Sequence, residues 1–458
     1  MLLQFAVENF QSIKAQVVLS MIAPEGQTLD RRHVRRVGDR WSILNCAAVY
    51  GANAAGKSNL VRALSTLRDL VCGGVAPTAR IGVDPFRLDA EWGRKPTRFE
   101  VDLLLDGVHH AYGLVASREA VVAEWLHRIE GDKVTPLFER EADADGGPEH
   151  VFRFDDGLAH NDEQRQFLRF VGKGTRPNQP FLAECTERNV TVFQPLVRWF
   201  RDKLSIIRPD APFVSLVLAL EDAPTRQFVT RCLRGWGTGV VGVDVHREPF
   251  DGLEKLDEER RTTLLKHLGE RGPLAFITRR DEPAVTLQDD EGVWLKRIQF
   301  RHASDESVPA FEWRDESDGT RRLMHLLPVL SKVQKGASAD PVFVVDELER
   351  SLHASLTRRF VEEFLSMSAA VDSGGQLIFT THDTNLLNGR LLPPASIWFV
   401  EKDHNGATHL YSLAEYPPEQ IDRLTDRLED GYLQGRFGAI PFMASREQLA
   451  WGSPGAGE

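Results

Sequence analysis

Apolar and polar positions alternate at Leu3, Phe5 and Val7, which predicts a strand within Met1–Ala15, and Val17–Ile22 reads as its hairpin partner. After a charged loop, the apolar run Ile43–Tyr50 is expected to be a strand. Asn59–Val71 then sets Leu60, Leu64, Leu67, Leu70 and Val71 along one side of a helix that Gly73-Gly74 ends. From Ala76 to about Gly157 the period becomes two. Strands are expected at Phe99–Leu105, His110–Ala116, Glu119–Ile129, Val134–Glu139 and Val151–Phe154, joined by Asp-Gly and Gly-Asp turns as an antiparallel meander, with a loop tip at Asp143–Gly147. Helical spacing returns from about Asn161 to Gly269, as in Phe167, Leu168 and Val171, and in Phe193, Leu196, Val197, Phe200 and Leu204. Pro195, Pro209, Pro212 and Pro224 cut this stretch into short helices. No heptad persists for three cycles there, which excludes a long coiled-coil arm, and no internal repeat is visible. Alternation resumes at Leu274–Ile277, Ala284–Gln288, Val293–Phe300 and Phe311–Trp313. A helix is expected from Arg321, a wholly apolar strand at Pro341–Val345, a helix at Ser355–Ser366, and strands at Gln376–Thr381 and Ser396–Glu401. Short apolar strands alternating with helices fit a buried, largely parallel sheet. The tail beyond Trp451 is rich in Gly and Pro and is expected to fray.

The stretch Cys46–Leu60 carries the clearest chemistry. Gly51, four residues, then Gly56-Lys57-Ser58 follow a strand and open a helix, which is the layout of a phosphate-binding loop. Glycines at both ends let the N–H groups of Ala52, Asn53, Ala54, Ala55, Gly56 and Lys57 turn toward one polyphosphate, and the helix dipole points at the same charge. Asn59 continues the helix start. In this reading Lys57 reaches the β- and γ-phosphates of ATP and the Ser58 hydroxyl ligates Mg²⁺. The competing reading is a plain Gly/Ala turn before a helix.

Pro341–Glu347 reads PVFVVDE, an apolar strand that ends in two carboxylates. Beside a nucleotide, Asp346 would hold Mg²⁺ through water and Glu347 would polarise the attacking water. Such a pair also serves as a helix cap, so its meaning comes from the phosphate loop. Ser317, Asp318, Gly319 and Thr320 open the helix through Leu323 and could present a hydroxyl and N–H groups to phosphate; alone they read as a turn. His382 follows the strand Gln376–Thr381, at the strand-end crevice where open α/β sheets bind ligands; alone it reads as a structural cap.

A net charge of −11 argues against a protein that coats DNA through its whole surface, so DNA remains a possible partner that charge does not indicate. The dense basic group Arg31, Arg32, His33, Arg35, Arg36 and Arg40 reads better as a solvated, partly salt-bridged loop than as a binding patch. No apolar run approaches a membrane span and the N-terminal residues lack a signal-peptide core, so the expectation is a cytoplasmic protein without membrane contact. Cys46, Cys72, Cys185 and Cys232 are widely spaced and read as reduced, mostly buried residues.

Taken together and in this order, the motifs resemble those of ABC-type ATPases of the RecF and structural-maintenance-of-chromosomes kind. More narrowly, the chain resembles AAA-type ATP-binding proteins of bacterial antiviral and abortive-infection systems, relatives of the overcoming-lysogenisation-defect ATPases and of the ATPase subunit of PARIS-type defence. The residues that carry this are Glu8-Asn9-Phe10-Gln11-Ser12-Ile13, Gly51–Ser58, Glu316–Thr320 as a signature loop, Val342–Glu347, Ser351-Leu352-His353 as a loop crossing between subunits, His382, and Tyr432–Pro441 as a terminal segment. The likeness covers roughly residues 1–75 and 300–443. It departs in two places. Pro85-Phe86-Arg87-Leu88-Asp89 stands where relatives carry a glutamine that contacts Mg²⁺, and it has none. The sole Asp-x-Asp pattern, Asp143 and Asp145, sits in a middle loop, so no nuclease domain is expected in cis.

The resemblance implies an α/β fold, an ABC-type P-loop head with a mixed sheet, an inserted antiparallel β subdomain and a helical lobe. Because Lys57 and Asp346 are far apart in the chain, the head is expected to reunite from residues 1–75 and 274–443, with the β subdomain at 76–160, the helical lobe at 161–273 and a flexible tail at 444–458. It also implies a homodimer or higher homo-oligomer that sandwiches ATP, with Ser317 and Gly319 of one subunit completing the γ-phosphate contacts of the other, Glu347 activating water and His382 sensing the γ-phosphate. The role implied is sensor or scaffold for a separate effector, a nuclease or toxin encoded nearby, with a phage protein as a possible trigger. A RecF-like DNA-repair clamp and a non-hydrolysing nucleotide-dependent interaction module are the alternatives; an intact Glu347 argues against the last.

Overall fold

The structure is a computed structural model that describes residues 1–25, 29–142, 150–159, 161–209, 215–250, 257–278, 282–303, 310–336, 340–371, 374–422 and 427–440. Asp143, Asp145, Pro212, Pro441 and the tail lie outside the described residues.

The apolar run before the glycine loop forms the strand Cys46–Gly51, buried along its whole length. It lies inside a six-stranded sheet in the order Leu204–Ile207, Val342–Val345, Gln376–Thr381, Cys46–Gly51, Ile397–Lys402, Thr408–Ser412. The first five strands are parallel and the last is antiparallel, which makes the sheet mixed. Side chains alternate between its faces. Ala47, Val49, Val344 and Val400 enter one hydrophobic core, while Cys46, Ala48, Tyr50, Val345 and Phe379 enter a second. Burial on both faces is why these strands read as unbroken apolar runs. Helix Lys57–Gly73 covers the first face through Leu60, Leu64, Leu67 and Val71, and helices Asp318–Lys335 and Ala354–Ala370 cover the second through Leu323, Leu327, Phe360 and Phe364. The fold is α/β, a mixed sheet with helices on both faces.

A seven-stranded antiparallel sheet packs against the first face. Leu2–Glu8 pairs with Val17–Ser20 on one side and Thr97–Leu105 on the other, so the meander through His150–Phe154 continues a sheet begun by the N-terminal hairpin. The two sheets are stitched by one buried amide: Leu2 N–H donates to Gln376 Oε1 (2.7 Å), and Gln376 Nε2 donates to the Leu2 carbonyl (2.8 Å). Within the meander, buried Glu124 accepts from the N–H groups of Phe181 and Leu182 and from the Tyr112 hydroxyl, which fixes the start of helix Phe181–Glu187 against the sheet. A third, antiparallel sheet orders Val240–Pro249, Gly292–His302, Pro283–Asp289 and Leu274–Ile277, with the short Phe311–Glu312 on Gly292–His302.

Three local expectations change. Within the stretch of helical spacing, Leu204–Ile207 is an edge strand of the P-loop sheet and Val240–Pro249 belongs to the third sheet. The first is only four residues long and the second opens on Val240, Val241, Val243 and Val245, and periodicity alone does not separate such apolar runs from helix. The basic stretch folds as a hairpin of Val34–Val37 with Trp41–Leu44, in which Arg35 pairs with Asp340 and Arg32 with Asp30. The helix expected from Arg321 begins at Asp318, because the Ser317 side chain accepts from Thr320 N–H and caps it. The four cysteines are free thiols, with Cys46 and Cys185 buried. No helix among the described residues is long and apolar enough to cross a membrane.

Candidate active site

Parallel strands bring like ends to one edge. Val345 sits opposite Phe379 and Thr381 opposite Tyr50, so the residues after each strand, Asp346-Glu347, His382 and the loop from Gly51, converge on one crevice.

The loop is shaped by two glycines. A Cβ on Gly51 would stand 2.3 Å from the Val400 carbonyl oxygen, and one on Gly56 (φ 118°) would stand 2.3 Å from Thr408 Oγ1. Between them Ala54 takes the left-handed φ of 62°. Lys57 Nζ donates to the carbonyls of Gly51 (2.7 Å) and Ala52 (3.0 Å) and faces His382 Nδ1 at 3.2 Å. Burial pushes its ammonium down to about 8, against the pull of Glu349, Asp346 and Glu347. Behind the loop, Asn59 Nδ2 donates to Ser12 Oγ (2.6 Å), Ser12 and Thr408 hydroxyls meet at 2.7 Å, and Thr408 Oγ1 donates to the Ala55 carbonyl (2.8 Å). Through Ser12, the turn within Glu8–Ile13 braces the phosphate loop from behind.

Asp346 is buried, and its Oδ1 accepts from the Ser58 hydroxyl (3.1 Å) and from Thr380 Oγ1 (2.6 Å). The two oxygens expected to ligate Mg²⁺ are therefore adjacent. Glu347 has a left-handed φ of 51°; its N–H donates to Thr380 Oγ1 (2.8 Å), and Arg322 Nη2 donates to the carbonyls of Asp346 (2.9 Å) and Glu347 (2.7 Å). The Glu347 side chain is partly exposed and, with His382, lines a cleft of about 550 Å³ whose floor is Asn53–Asn59. His382 N–H donates to Glu349 Oε1 (2.6 Å).

The structure places Ser317–Thr320 away from this cleft in its own chain. They sit beside the crossing loop instead, where a Cβ on Gly319 would stand 2.9 Å from the Ser351 carbonyl oxygen. Nor does Pro85–Asp89 line the cleft; Phe86 N–H donates to buried Asn9 Oδ1, and Asp89 pairs with Lys14 (2.9 Å).

Several contributors to the site belong to none of the sequence motifs. Arg62 and Lys402 line the cleft, and neither has an ion-pair partner among the described residues. Arg62 stands one turn after Ser58, so helical spacing could have found it. Thr380 is signalled by being polar inside a buried strand. Nothing in the linear order marks Lys402, Thr408 or Arg322. The glycine cradle, the buried ammonium and the adjacent Ser58 and Asp346 oxygens fit a polyphosphate with a divalent cation.

Residues 46–172 and 240–388, more than half of the chain, match the family described as "AAA domain, putative AbiEii toxin, Type IV TA system". No curated protein matches the chain. Among solved structures it is similar to an SMC head bound to the C-winged helix domain of ScpA, at 10% identity and a TM-score of 0.36, covering 92% of this chain and 99% of that one. It is similar to the SMC head domain from Thermotoga maritima, at 11% identity and a TM-score of 0.35, covering 90% and 98%. A third is the Pyrococcus furiosus Smc head domain with an extended coiled coil, bound to the C-terminal domain of ScpA, at 10% identity and a TM-score of 0.36, covering 92% and 98%.

Proposed function

The chain belongs to this AAA-domain family of AbiEii-toxin type, and from that premise we propose that it binds and hydrolyses ATP as a homodimer closed around two nucleotides, and so controls a separate effector in antiphage defence. The observation that carries the reading is the convergence of Lys57, Ser58, Glu347 and His382 on one cleft, with Asp346 hydrogen-bonded to Ser58, while Ser317–Thr320 lie off it. A signature loop without a cis ligand needs a second subunit.

In this reading the loop Gly51–Ser58 and Lys57 hold the phosphates, and Ser58 and Asp346 hold Mg²⁺, which when bound supplies positive charge to the phosphate oxygens. Glu347 accepts the proton of the attacking water, and His382 orients the γ-phosphate side of the site. Ser317 and Gly319 of the facing subunit complete the enclosure. Clamp-like closing and release would then gate a nuclease or toxin encoded nearby, as the resemblance to the ATPase subunit of PARIS-type defence implies, with a phage protein as trigger.

A DNA-end clamp of the RecF kind is the second reading, favoured by a groove of about 490 Å³ lined by Arg80, Arg87, Arg94, Lys95 and Arg118. The test is to express the chain with its neighbouring genes and purify it with and without ATP. A second polypeptide retained with ATP and lost in Lys57→Ala is expected. Retention of no polypeptide, together with tight binding to DNA ends that weakens steeply with salt, would replace the effector reading by the clamp.

Nucleotide affinity is also expected to depend on pH. In the free protein Lys57 titrates near 8, and a bound polyphosphate favours its protonated form, so binding takes up a proton between that value and the higher bound-state one. Affinity should be flat below pH 7 and fall by up to about tenfold per unit above pH 8. Titration with a fluorescent ATP analogue at pH 7 and pH 9 measures this. Lys57→Arg should abolish the slope, and an unchanged slope would assign the proton to another group.

A further inference from the structure

Arg322 lies in the first turns of helix Asp318–Lys335, the helix that Ser317 caps. Its side chain is buried, and burial pushes the guanidinium down to about 10, next to the repulsion of Arg350 and against the pull of Glu349, Asp346 and Glu347. A buried cation is costly unless its donors are used. Here Nη2 is spent on two main-chain oxygens, the Asp346 carbonyl at 2.9 Å and the Glu347 carbonyl at 2.7 Å. These belong to the turn that carries Glu347, which lines the cleft, and buried Asp346, which meets Ser58.

That turn is not held by its own conformational preference. Glu347 has a φ of 51°, a region a glutamate seldom occupies, so something outside it must hold it there. Thr380 Oγ1, on the strand Gln376–Thr381, accepts the Glu347 N–H at 2.8 Å, and the Thr380 carbonyl accepts the Leu348 N–H at 3.0 Å. The Glu347 carbonyl accepts the Arg350 N–H at 3.1 Å within the turn itself, and Arg322 is the side chain that reaches the same carbonyl from another element. The same helix start also touches the crossing loop, where Gly319 approaches the Ser351 carbonyl.

We propose that Arg322 is a positioning residue: from the helix that presents the signature loop to the facing subunit, it holds the Glu347 turn of its own subunit in the left-handed conformation that aims the carboxylate into the cleft. The inference rests on the two-subunit reading above. Arg322 does not line the nucleotide cleft. Asp346 is held besides by Ser58 and Thr380 on its side chain and by the Ile207 carbonyl on its N–H, so the loss of Arg322 acts on turnover rather than on nucleotide binding.

Arg322→Met is expected to lower kcat by about a hundredfold, the scale of a misplaced catalytic group, with affinity for a fluorescent ATP analogue changed by less than about threefold. Arg322→Lys, which keeps the charge without the fork, should give an intermediate kcat. Wild-type kcat in Arg322→Met, or a loss seen only in affinity, overturns the proposal. If Arg322→Met does not fold, Arg322→Lys decides alone: a kcat at least about fivefold lower at unchanged affinity supports it, and wild-type kcat overturns it.

Mixed subunits separate this proposal from the reading beneath it. In a mixture of Lys57→Ala and Ser317→Arg chains, the working site takes its phosphate loop and Glu347 from the Ser317→Arg chain. Adding Arg322→Met to that chain should abolish the recovered activity, and adding it to the Lys57→Ala chain should leave most of it. The reverse pattern, or no effect in either chain, overturns the role of Arg322. No recovery in the parent mixture overturns the sandwich instead, and the homogeneous kcat and affinity measurements then still decide whether Arg322 positions Glu347.

Discussion

Glu347→Gln should release phosphate about 10²–10⁴-fold more slowly than the parent chain, the range expected when a positioned general base is removed, while it accumulates as an ATP-bound dimer. The amide is nearly isosteric but cannot accept the proton of water. The backbone anchors of the turn, Thr380 on the N–H and Arg322 on the carbonyl, do not involve the side chain and should survive. Lys57, Ser58 and Asp346 also keep their contacts, so binding should be preserved. Phosphate release and particle mass with and without Mg-ATP measure the two halves of the expectation. Turnover within about tenfold of the parent would remove Glu347 from the role of base. A particle that stays monomeric in ATP would remove the sandwich.

The second large effect is complementation. Lys57→Ala alone should bind no nucleotide, since the side chain that tethers Gly51 and Ala52 and faces the cleft is gone. Ser317→Arg alone should bind nucleotide but fail to turn over, because a bulky cation replaces the hydroxyl at the helix start; the lost cap costs about 1 kcal/mol, too little to unfold the chain. Mixed in equal amounts, random pairing makes half of the dimers hybrid with one complete site each, so recovery to about a quarter of parental activity is expected for a symmetric dimer. Activity that never exceeds the sum of the two separate variants would show that the signature loop does not act across subunits.

The phosphate loop could be read from order alone because its requirements are local. Gly56 takes a φ of 118° that side-chain-bearing residues rarely adopt, and the spacing of Gly51 and Gly56 is the same in any fold that uses the motif; their close approach to Val400 and Thr408 is added by the tertiary structure. Asp346 and Glu347 were legible for a related reason: a strand buried on both faces is a run of apolar residues, and carboxylates at its end stand out. The helix Asp318–Lys335 starts before Arg321, where periodicity puts it, because apolar spacing begins only after the cap, whereas the cap itself is a polar Ser317.

Pairings were not legible in the same way. Alternation at Leu3, Phe5 and Val7 announces a strand but not that Thr97–Leu105 lies beside it, and the helical spacing before Leu204 hid an edge strand that needs Val342–Val345 as template. Strand partners are chosen by packing between distant segments, which leaves little trace in either segment.

The amino-acid order thus determined the chemistry that one loop or one strand end can perform by itself: glycines that admit phosphate, a lysine and serine after them, two carboxylates closing an apolar strand. Tertiary structure decided everything that needs two such pieces in register. It set His382 against Lys57, put Thr408 and Ser12 behind the loop, and sent Arg322 from the capped helix to the carbonyls of Asp346 and Glu347. The physical reason is that these contacts are hydrogen bonds between residues remote in the chain, whose geometry exists only after the two hydrophobic cores have closed on the faces of the sheet.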